Sequence, residues 1–278
     1  MSFKPEHVNA TAEDFLGNNG IGRYVFLPGS DGRAKQISEN FTNVSVKGHP
    51  RGHNIYMGCL EYNGYKIDVA AVSSGMGTPS LDIIVNELFR LGVKRFLRVG
   101  TAGLLQPNYM KAGDFVIGTG AVKDDGATQN YVPSEVPAIA SMDMVLAAQK
   151  AAEALKISSK THSGLIHSKA SLYAREFKTG PLAEENKRYM KILADSGVLA
   201  SEMEASMLFT LATLFNHQMH LKNQSCEPVN QVKAGAICLI LGEGDDFGTA
   251  ETLKENTFRA VELSIQTVKE LALEELSF

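Results

Sequence analysis

The sequence predicts an α/β protein, and three observations carry that prediction. Short apolar runs alternate along the chain with segments whose apolar residues recur at helical spacing, which is the pattern of a sheet covered by helices. Two of the apolar runs end in glycine-rich turns that lead directly into helices. The 278 residues are 44% hydrophobic and 21% charged, which is enough apolar material for one large domain. We therefore expect a single α/β domain over residues 1–278.

The charge balance and the cysteines narrow the class of protein. The formal net charge of -4 leaves no basic field for nucleic acid, because the lysines and arginines are scattered. Cys59, Cys226 and Cys238 are odd in number and far apart, so we expect reduced thiols in a cytoplasmic protein rather than a disulfide or a zinc site. No stretch approaches the ~20 apolar residues of a membrane span, and the amino terminus has no apolar signal segment. We expect a small-molecule ligand, and neither nucleic acid nor a membrane as a partner.

The chain begins with a polar arm, residues 1–20, and a first strand over residues 23–27. The strand runs into the turn Pro28-Gly-Ser-Asp-Gly-Arg33, and a helical pattern starts at Ala34. Such a turn directs backbone N–H groups and a helix amino terminus at a ligand, which favours an anion, and Arg33 can close over that anion. The turn is neither a Walker A loop nor a GxGxxG motif.

A hairpin and a second glycine turn follow. Asn63-Gly64 separates two strand-like runs and is the strongest short hairpin signal. The next strand, residues 67–74, leads through Gly75-Met-Gly-Thr-Pro-Ser80 into a helix whose apolar residues, from Leu81 to Leu91, have helical spacing. The order of strand, turn and helix is thus repeated, as expected for an α/β sheet.

The central strand of the predicted sheet contains a charge. In Phe96-Leu-Arg-Val-Gly-Thr-Ala-Gly103 an apolar run is interrupted by Arg98 and closed by two glycines. A guanidinium in a buried strand needs an anionic partner, and its planar fork suits a carboxylate or a phosphate. Thr101 adds a hydroxyl at the carboxyl edge of the sheet, where α/β folds bind ligands. Arg98 is thus either a ligand-binding residue or one half of a structural ion pair.

The remaining elements continue the α/β pattern. The apolar patterns predict strands over 113–122, 161–168 and 234–241, helices over 144–155, 207–215 and 249–276, and a polar excursion over 216–231. The last helix is amphipathic and should cover one face of the sheet.

Two stretches in this half have unusual chemistry. The loop from Lys169 to Lys178 mixes aromatic and charged residues, which is typical of a pocket for a base or a ring and also of a solvated edge. Glu202 and Glu204 stand directly before a strongly apolar helix. Carboxylates there can cap the helix, or they can bind a ligand.

Taken together, these stretches resemble the nucleoside phosphorylase family of the uridine phosphorylase and hexameric purine nucleoside phosphorylase type. The resemblance extends from about His7 to the last strand and rests on five ordered motifs: Pro28-Gly29 with Arg33, Arg51, Ser74-Gly75-Met76-Gly77 with Pro79-Ser80, Phe96-Leu97-Arg98-Val99-Gly100-Thr101, and Glu202-Met203-Glu204. It implies a single-domain, three-layer α/β/α fold with a central mixed sheet.

The resemblance also implies roles for individual residues. The phosphate site would comprise Gly29, Arg33, Arg51, Arg98 and Thr101, with Arg51 lent by a neighbouring subunit. The ribose site would comprise His7 of the neighbour, Met203 and Glu204. The base site would comprise Leu172, Glu176, Lys178 and Glu202. Arg98, Glu204 and Arg33 would be the catalytic residues, because the reaction needs a positioned phosphate and a fixed ribose rather than a covalent nucleophile.

The chain departs from the family pattern mainly where the base binds. The family's Phe-Tyr-x-Gly-Gln-x-Arg stretch is here Leu172-Tyr-Ala-Arg-Glu-Phe-Lys178, in which Glu176 can accept the N3–H of a pyrimidine and Lys178 can donate to a carbonyl. The loop after the last strand, Gly242-Glu-Gly244, lacks the family's Asn-Arg pair and its Ser-Asp ending, although Asp245 and Asp246 are close. The first turn reads Gly-Ser-Asp-Gly-Arg instead of Gly-Asp-Pro-x-Arg.

The function that this resemblance implies is the phosphorolysis of uridine to uracil and ribose 1-phosphate. Inorganic phosphate would be a co-substrate, with no cofactor and no metal; Gly52 stands where a cation-binding glutamate is usual, so no monovalent cation is inferred. A purine nucleoside phosphorylase or a nucleosidase is the alternative within the fold, and a nucleoside-binding protein without turnover is the alternative outside enzymes. Because Arg51 and His7 would act on a neighbour, we expect at least a dimer, and by resemblance a hexamer.

Overall fold

The computed structural model describes residues 3–221, 230–242 and 250–277, and within them ten strands form one mixed sheet. The strands are β1 Tyr24–Pro28, β2 Thr42–Lys47, β3 Ile55–Tyr62, β4 Tyr65–Val72, β5 Arg95–Leu104, β6 Phe115–Asp124, β7 Ala138–Ile139, β8 Thr161–Lys169, β9 Ala200–Glu202 and β10 Lys233–Gly242. The α-helices are α1 Asp31–Ser38, α2 Thr78–Arg90, α3 Met142–Ala154, α4 Ala183–Asp195, α5 Ala205–Leu221 and α6 Ala250–Leu276. The predicted α/β class and the mixed central sheet are confirmed.

The strand order closes one part of the sheet into a ring beside a row of parallel strands. β4, β1, β5 and β10 are parallel neighbours, and β2 and β3 extend this sheet in antiparallel fashion. β10 pairs with both β5 and β6, whereas β9 pairs with both β5 and β8. Because β6 also pairs with β8, strands β5, β10, β6, β8 and β9 close into a ring. Ligands of α/β sheets bind outside the carboxyl ends of parallel strands, which here are those of β4, β1, β5 and β10.

The hairpin predicted at Asn63-Gly64 is confirmed. Both residues have positive φ, 48° for Asn63 and 83° for Gly64, and Tyr62 pairs with Tyr65 across the turn. Two consecutive positive φ angles match the right-handed twist of the flanking strands, which is why this dipeptide selects the turn.

The helices pack in two groups. α3 and α6 contact each other, and α2 contacts α5, where the rings of Phe89 and Phe215 stack with centroids 3.7 Å apart. The last turn of α6 is tied to the sheet by Glu275, which binds Arg95 of β5 (2.7 Å), Lys233 of β10 (2.8 Å) and the hydroxyl of Tyr24 of β1 (2.7 Å). Among the described helices, none combines the length and the apolar character needed to cross a membrane.

Five elements differ from the sequence prediction, two of which are the short strands β7 and β9 that were not predicted. α5 continues to Leu221, beyond Phe215 where the apolar pattern stops, so the first part of the predicted polar excursion is helical. Residues 222–229 of that excursion, including Cys226, lie outside the described residues. β2, an exposed edge strand, and α4, which buries only Asn186, Met190 and Leu193, were not predicted.

Candidate active site

A cavity of about 290 Å³ opens at the carboxyl ends of β1, β5, β8, β9 and β10. Its lining combines two guanidinium groups, an ammonium group and three carboxylates with small and apolar residues. The lining residues are Gly29, Ser30, Arg33, Met76, Arg98, Gly100, Thr101, Ala102, Gly103, Lys169, Leu172, Glu176, Ser201, Glu202, Met203, Glu204 and Leu241.

Arg98 lines this cavity and is 4% exposed. Its Nε donates to Oε2 of Glu202 at 2.9 Å, and its Nη2 donates to Oε2 of Glu204. Burial alone would lower the pKa of Arg98, but the two carboxylates raise that pKa above its ordinary value, so the guanidinium stays charged. The third nitrogen, Nη1, is buried and has no hydrogen-bond partner among the described residues. Arg98 therefore has structural partners and also one donor left for a ligand.

Glu202 is held entirely by the protein. Besides Arg98, it accepts hydrogen bonds from the hydroxyl of Ser168 and from the backbone N–H groups of Glu204 (2.8 Å) and Ala205 (3.0 Å), at the start of α5. Burial raises the pKa of Glu202, but Arg98 and these hydrogen bonds outweigh it and hold the pKa below its ordinary value. Its carboxylate joins Arg98 to the amino terminus of α5, where negative charge is favourable.

Glu204 bridges Arg98 and the second glycine turn. Its Oε1 accepts the backbone N–H of Gly77 at 2.6 Å. Gly77 has a φ of 81°, which a residue with a Cβ rarely adopts, and it directly precedes α2 with Pro79 in the first turn. Burial and the negative charge of Glu202 raise the pKa of Glu204, although Arg98 opposes the rise. The turn thus positions Glu204 at the cavity wall.

Arg33 supplies the second guanidinium. Ser30 caps α1 by accepting the backbone N–H of Arg33, which places Gly29 and Arg33 beside the amino terminus of that helix. Burial and the nearby positive charge of Arg98 lower the pKa of Arg33. Within the described part of the chain, no carboxylate forms an ion pair with Arg33. Two mutually repelling guanidiniums beside a helix amino terminus favour an anion in this cavity.

Lys169 and Glu176 form a buried ion pair at another part of the cavity. Nζ of Lys169 lies 3.1 Å from Oε2 of Glu176 and donates to the carbonyl and the hydroxyl of Ser201, both at 3.0 Å. The side chain of Glu176 lies against Gly103, where a Cβ would approach Oε1 of Glu176 to 2.0 Å. Gly103 therefore makes room for this carboxylate. Lys169 was not among the predicted site residues, although its place at the end of the apolar strand β8 was a signal for it.

The other predicted residues are distributed differently. Thr101, Met203 and Leu172 line the cavity, whereas Lys178 lines a separate pocket of about 240 Å³ on the far side of Glu176. Arg51 is exposed in the loop between β2 and β3 and is not part of the cavity of its own chain. Glu243, Gly244, Asp245 and Asp246 lie outside the described residues.

His7 is bound to its own chain through Glu87 of α2. Nδ1 of His7 lies 2.8 Å from Oε1 of Glu87, and the backbone N–H groups of Glu6, His7 and Val8 donate to the same carboxylate. Burial raises the pKa of Glu87, but the hydrogen bonds from His7 and the arm lower it below its ordinary value. His7 is not part of the cavity of its own chain. Glu87 thus fixes the arm at the edge of the molecule.

Comparisons with known proteins identify the family to which this site belongs. The model of the family described as "Phosphorylase superfamily" matches residues 23–272. The uridine phosphorylase of Treponema pallidum is 31% identical over 95% of this chain and 92% of its own length. The guanosine phosphorylase of Halorubrum lacusprofundi is 31% identical over 89% of this chain and 93% of its own, and the uridine phosphorylase of Escherichia coli is 29% identical over 95% and 97%. With a match over most of its length, the chain belongs to the phosphorylase superfamily and is an enzyme.

Proposed function

We propose that this enzyme cleaves uridine with inorganic phosphate, giving uracil and ribose 1-phosphate. The observation that carries the proposal is the pair of guanidiniums in one cavity, with Nη1 of Arg98 buried without a partner among the described residues and Arg33 without an ion pair there. A phosphate dianion would accept from both arginines. The similarity to the uridine phosphorylases of the two bacteria named above supports the choice of nucleoside.

The phosphate would lie between Arg33, Arg98 and the amino terminus of α1. Gly29 and Thr101 border the same space and supply a backbone N–H and a hydroxyl. Arg51 would reach this phosphate from a neighbouring copy of the chain, which is why its own cavity does not contain it. The proposed enzyme is therefore at least a dimer, and by family resemblance a hexamer.

The ribose would lie on Met203, with its hydroxyls donating to Glu204. The carboxylate of Glu204 is already fixed by Gly77 and Arg98, so no rotamer freedom is lost when the sugar binds. His7 of the neighbouring copy would contact the other end of the ribose, with Glu87 holding its imidazole.

The base would bind at Lys169 and Glu176. A uracil ring offers an N3–H that a carboxylate can accept and carbonyl oxygens to which an ammonium can donate. Lys169 and Glu176 are an ion pair within the cavity, so we assign them these roles, and Leu172 would contact the ring face. We assign no direct contact with the base to Lys178, because it faces another pocket. We assign none to Glu202 either, because its oxygens already accept hydrogen bonds from the protein.

The reaction requires stabilisation of two charges. As the bond from C1′ to N1 breaks, its electron pair goes to the base and the sugar becomes an oxocarbenium ion. A phosphate oxygen held by Arg33 and Arg98 forms the new bond to C1′, while Lys169 stabilises the negative charge on uracil until solvent protonates it. Arg98 and Lys169 are held by hydrogen bonds of the protein before substrate binds.

Phosphorolysis of guanosine is the second candidate function. The 31% identity to a guanosine phosphorylase over 89% of this chain favours it, and Glu176 could equally accept the N–H groups of guanine. A nucleosidase has less support, because a water-using site has no need of arginines around an anion.

The test is release of free base from uridine, guanosine, inosine and adenosine, each with and without phosphate. We expect release from uridine only when phosphate is present. Faster release of base from guanosine than from uridine would indicate that guanosine is the substrate. Release of base without phosphate would indicate a nucleosidase. Binding of uridine without release of base from any of the four nucleosides would contradict the proposal and indicate a binding protein.

A further inference from the structure

A chain of buried hydrogen bonds leads away from Lys169 into the protein. The hydroxyl of Ser201 accepts from Nζ of Lys169 at 3.0 Å and lies 3.0 Å from Nδ1 of His167. Nε2 of His167 lies 3.0 Å from Oδ2 of Asp124. His167 and Ser201 are both 0% exposed, and neither is used by the proposed reaction. Burying polar groups costs free energy unless they are hydrogen-bonded, so we asked what this buried chain contributes to the site.

The donors and acceptors in this chain fix its protons. An ammonium group only donates, so the hydroxyl of Ser201 accepts from Lys169 and can give its own proton to Nδ1 of His167. Nε2 of His167 then carries the ring proton and donates to the carboxylate of Asp124. With a neutral imidazole in this tautomer, every proton has an acceptor.

Asp124 is also bound to the turn that carries Glu176. Nε and Nη2 of Arg175 donate to the two oxygens of Asp124 at 2.7 and 2.9 Å, and the guanidinium lies 4.3 Å from the centroid of the Tyr189 ring. Arg175 and Glu176 belong to one helical turn, Leu172–Glu176. The hydrogen bonds from His167 and Arg175 hold the pKa of Asp124 below its ordinary value, although burial raises it. The carboxylate of Asp124 therefore supports both proposed base-binding residues. It supports Lys169 through His167 and Ser201, and it supports Glu176 through Arg175.

We propose that Asp124, His167 and Ser201 are positioning residues that set Lys169 against Glu176 for recognition of the base. This inference rests on the proposed function. Two hydrogen bonds from Lys169 go to Ser201, whereas Oε2 of Glu176 lies within ion-pair distance of the ammonium but accepts no hydrogen bond among the described residues. A base that enters exchanges only the contact between Lys169 and Glu176, and Ser201 keeps the ammonium in place. Without the hydroxyl, the carbonyl of Ser201 is the remaining hydrogen-bond acceptor of Lys169 among the described residues, so the ammonium would be less precisely placed against Glu176.

The test compares three variants in the uridine reaction. In Ser201→Ala the hydroxyl is removed, and in His167→Gln the acceptor for that hydroxyl is lost while a donor to Asp124 remains. Ser264→Ala is the matched control, because Ser264 is also 0% exposed and donates only to the carbonyl of Ala260 within α6.

We expect kcat/KM for uridine to fall by about ten- to a hundredfold in the first two variants, as for other residues that orient a contact residue. The KM for phosphate should stay unchanged, and Ser264→Ala should behave as wild type. Unchanged kcat/KM for uridine in folded Ser201→Ala and His167→Gln would overturn the proposal. An equal loss of apparent affinity for phosphate would also overturn it, since that result indicates a general structural defect.

A second readout does not depend on turnover. The ¹⁵N spectrum of labelled histidine should show His167 as the neutral tautomer protonated at Nε2, and its Nδ1 resonance should shift in Ser201→Ala. A doubly protonated ring, or the Nδ1–H tautomer, would overturn the hydrogen-bond chain. If wild type released no base from any nucleoside, the proposed function would fail while this spectrum would still decide the arrangement of His167.

Discussion

At the scale of single residues, the two arginines of the cavity differ in what holds them. Arg98 is enclosed by Glu202 and Glu204, whereas Arg33 has no ion pair among the described residues. The sequence left Arg98 as either a structural or a ligand-binding residue. Its contacts support both roles at once, since two of its nitrogens bind carboxylates and Nη1 remains without a partner in the described structure. Arg33 is therefore the cleaner probe of the anion site.

Replacing Arg33 by glutamine should abolish the response to phosphate without unfolding the protein. The substitution removes a charge that repels Arg98, so the melting temperature should change little, while the loss of a charge-assisted contact should lower kcat/KM by on the order of a thousandfold. Thermal melts with and without millimolar phosphate measure both effects. Arg259→Gln, on the exposed part of α6, is the control. A phosphate-induced rise equal to that of wild type would remove Arg33 from the phosphate site.

Replacing Arg98 by alanine should cost both stability and phosphate binding. The change leaves the buried carboxylates of Glu202 and Glu204 uncompensated, which typically costs about 3–5 kcal/mol of unfolding free energy. Urea denaturation measures that loss, and phosphate should no longer raise the melting temperature. A variant as stable as wild type would show that the two carboxylates do not depend on Arg98.

The candidate site was only partly predictable from the sequence, for a physical reason. Arg98 and Glu204 could be recognised because a charge inside an apolar segment is expensive unless something binds it. Lys169 was overlooked and Lys178 was chosen, because spacing along the sequence does not show which of the two lysines lines the cavity. That choice is made by the pairing of β8 with β9, which brings Ser168 opposite Glu202 and Lys169 beside Ser201.

At the scale of secondary-structure elements, the sequence predicted those features that depend on neighbouring residues in the chain. Asn63-Gly64 fixed a hairpin because its backbone angles are intrinsic to those residues. The ring closed by β10 between β5 and β6 depends on contacts between distant parts of the chain, so no local pattern predicts it. β2 was missed because it is a short edge strand, and its two alternating apolar residues, Val44 and Val46, are exposed.

The attachment of α6 gives a prediction at this scale. Arg95 is 0% exposed and pairs with Glu275, so Glu275→Gln should break a buried ion pair and cost about 3–5 kcal/mol of unfolding free energy. Burial raises the pKa of Glu275, but Arg95 and Lys233 outweigh it and lower the pKa below its ordinary value. The contribution is therefore present above the unfolded pKa of about 4.3 and is lost as pH falls through the lower folded pKa.

Urea denaturation of wild type and Glu275→Gln from pH 7 downward checks this. The difference in unfolding free energy should be largest at neutral pH and should narrow below about pH 4, as the wild-type carboxylate becomes protonated. The exposed pair of Lys191 and Asp195 supplies the control Asp195→Asn, which should have little effect at any pH. A constant difference across the pH range would mean that the charge of Glu275 contributes nothing.

At the scale of the whole molecule, the proposed site extends over two copies of the chain. The cavity contains Arg33, Arg98 and Glu204, whereas Arg51 and His7 lie away from it on the same chain. In a symmetric dimer, each copy would lend these two residues to the cavity of the other. The assembly would then be required for activity rather than only for stability.

Complementation between two inactive variants tests this arrangement. In a mixed dimer of Arg51→Ala and Glu204→Ala chains, the cavity of the Arg51→Ala chain keeps its own Glu204 and receives an intact Arg51 from its partner. Random pairing makes half of the dimers mixed, each with one complete site, so co-expression should restore about a quarter of the wild-type activity. Co-expression of Arg33→Ala with Glu204→Ala is the matched control and should restore none, because Arg33 and Glu204 line the same cavity. If light scattering and mass spectrometry showed mixed assemblies with no recovered activity in the first pair, Arg51 would not act on a neighbouring site.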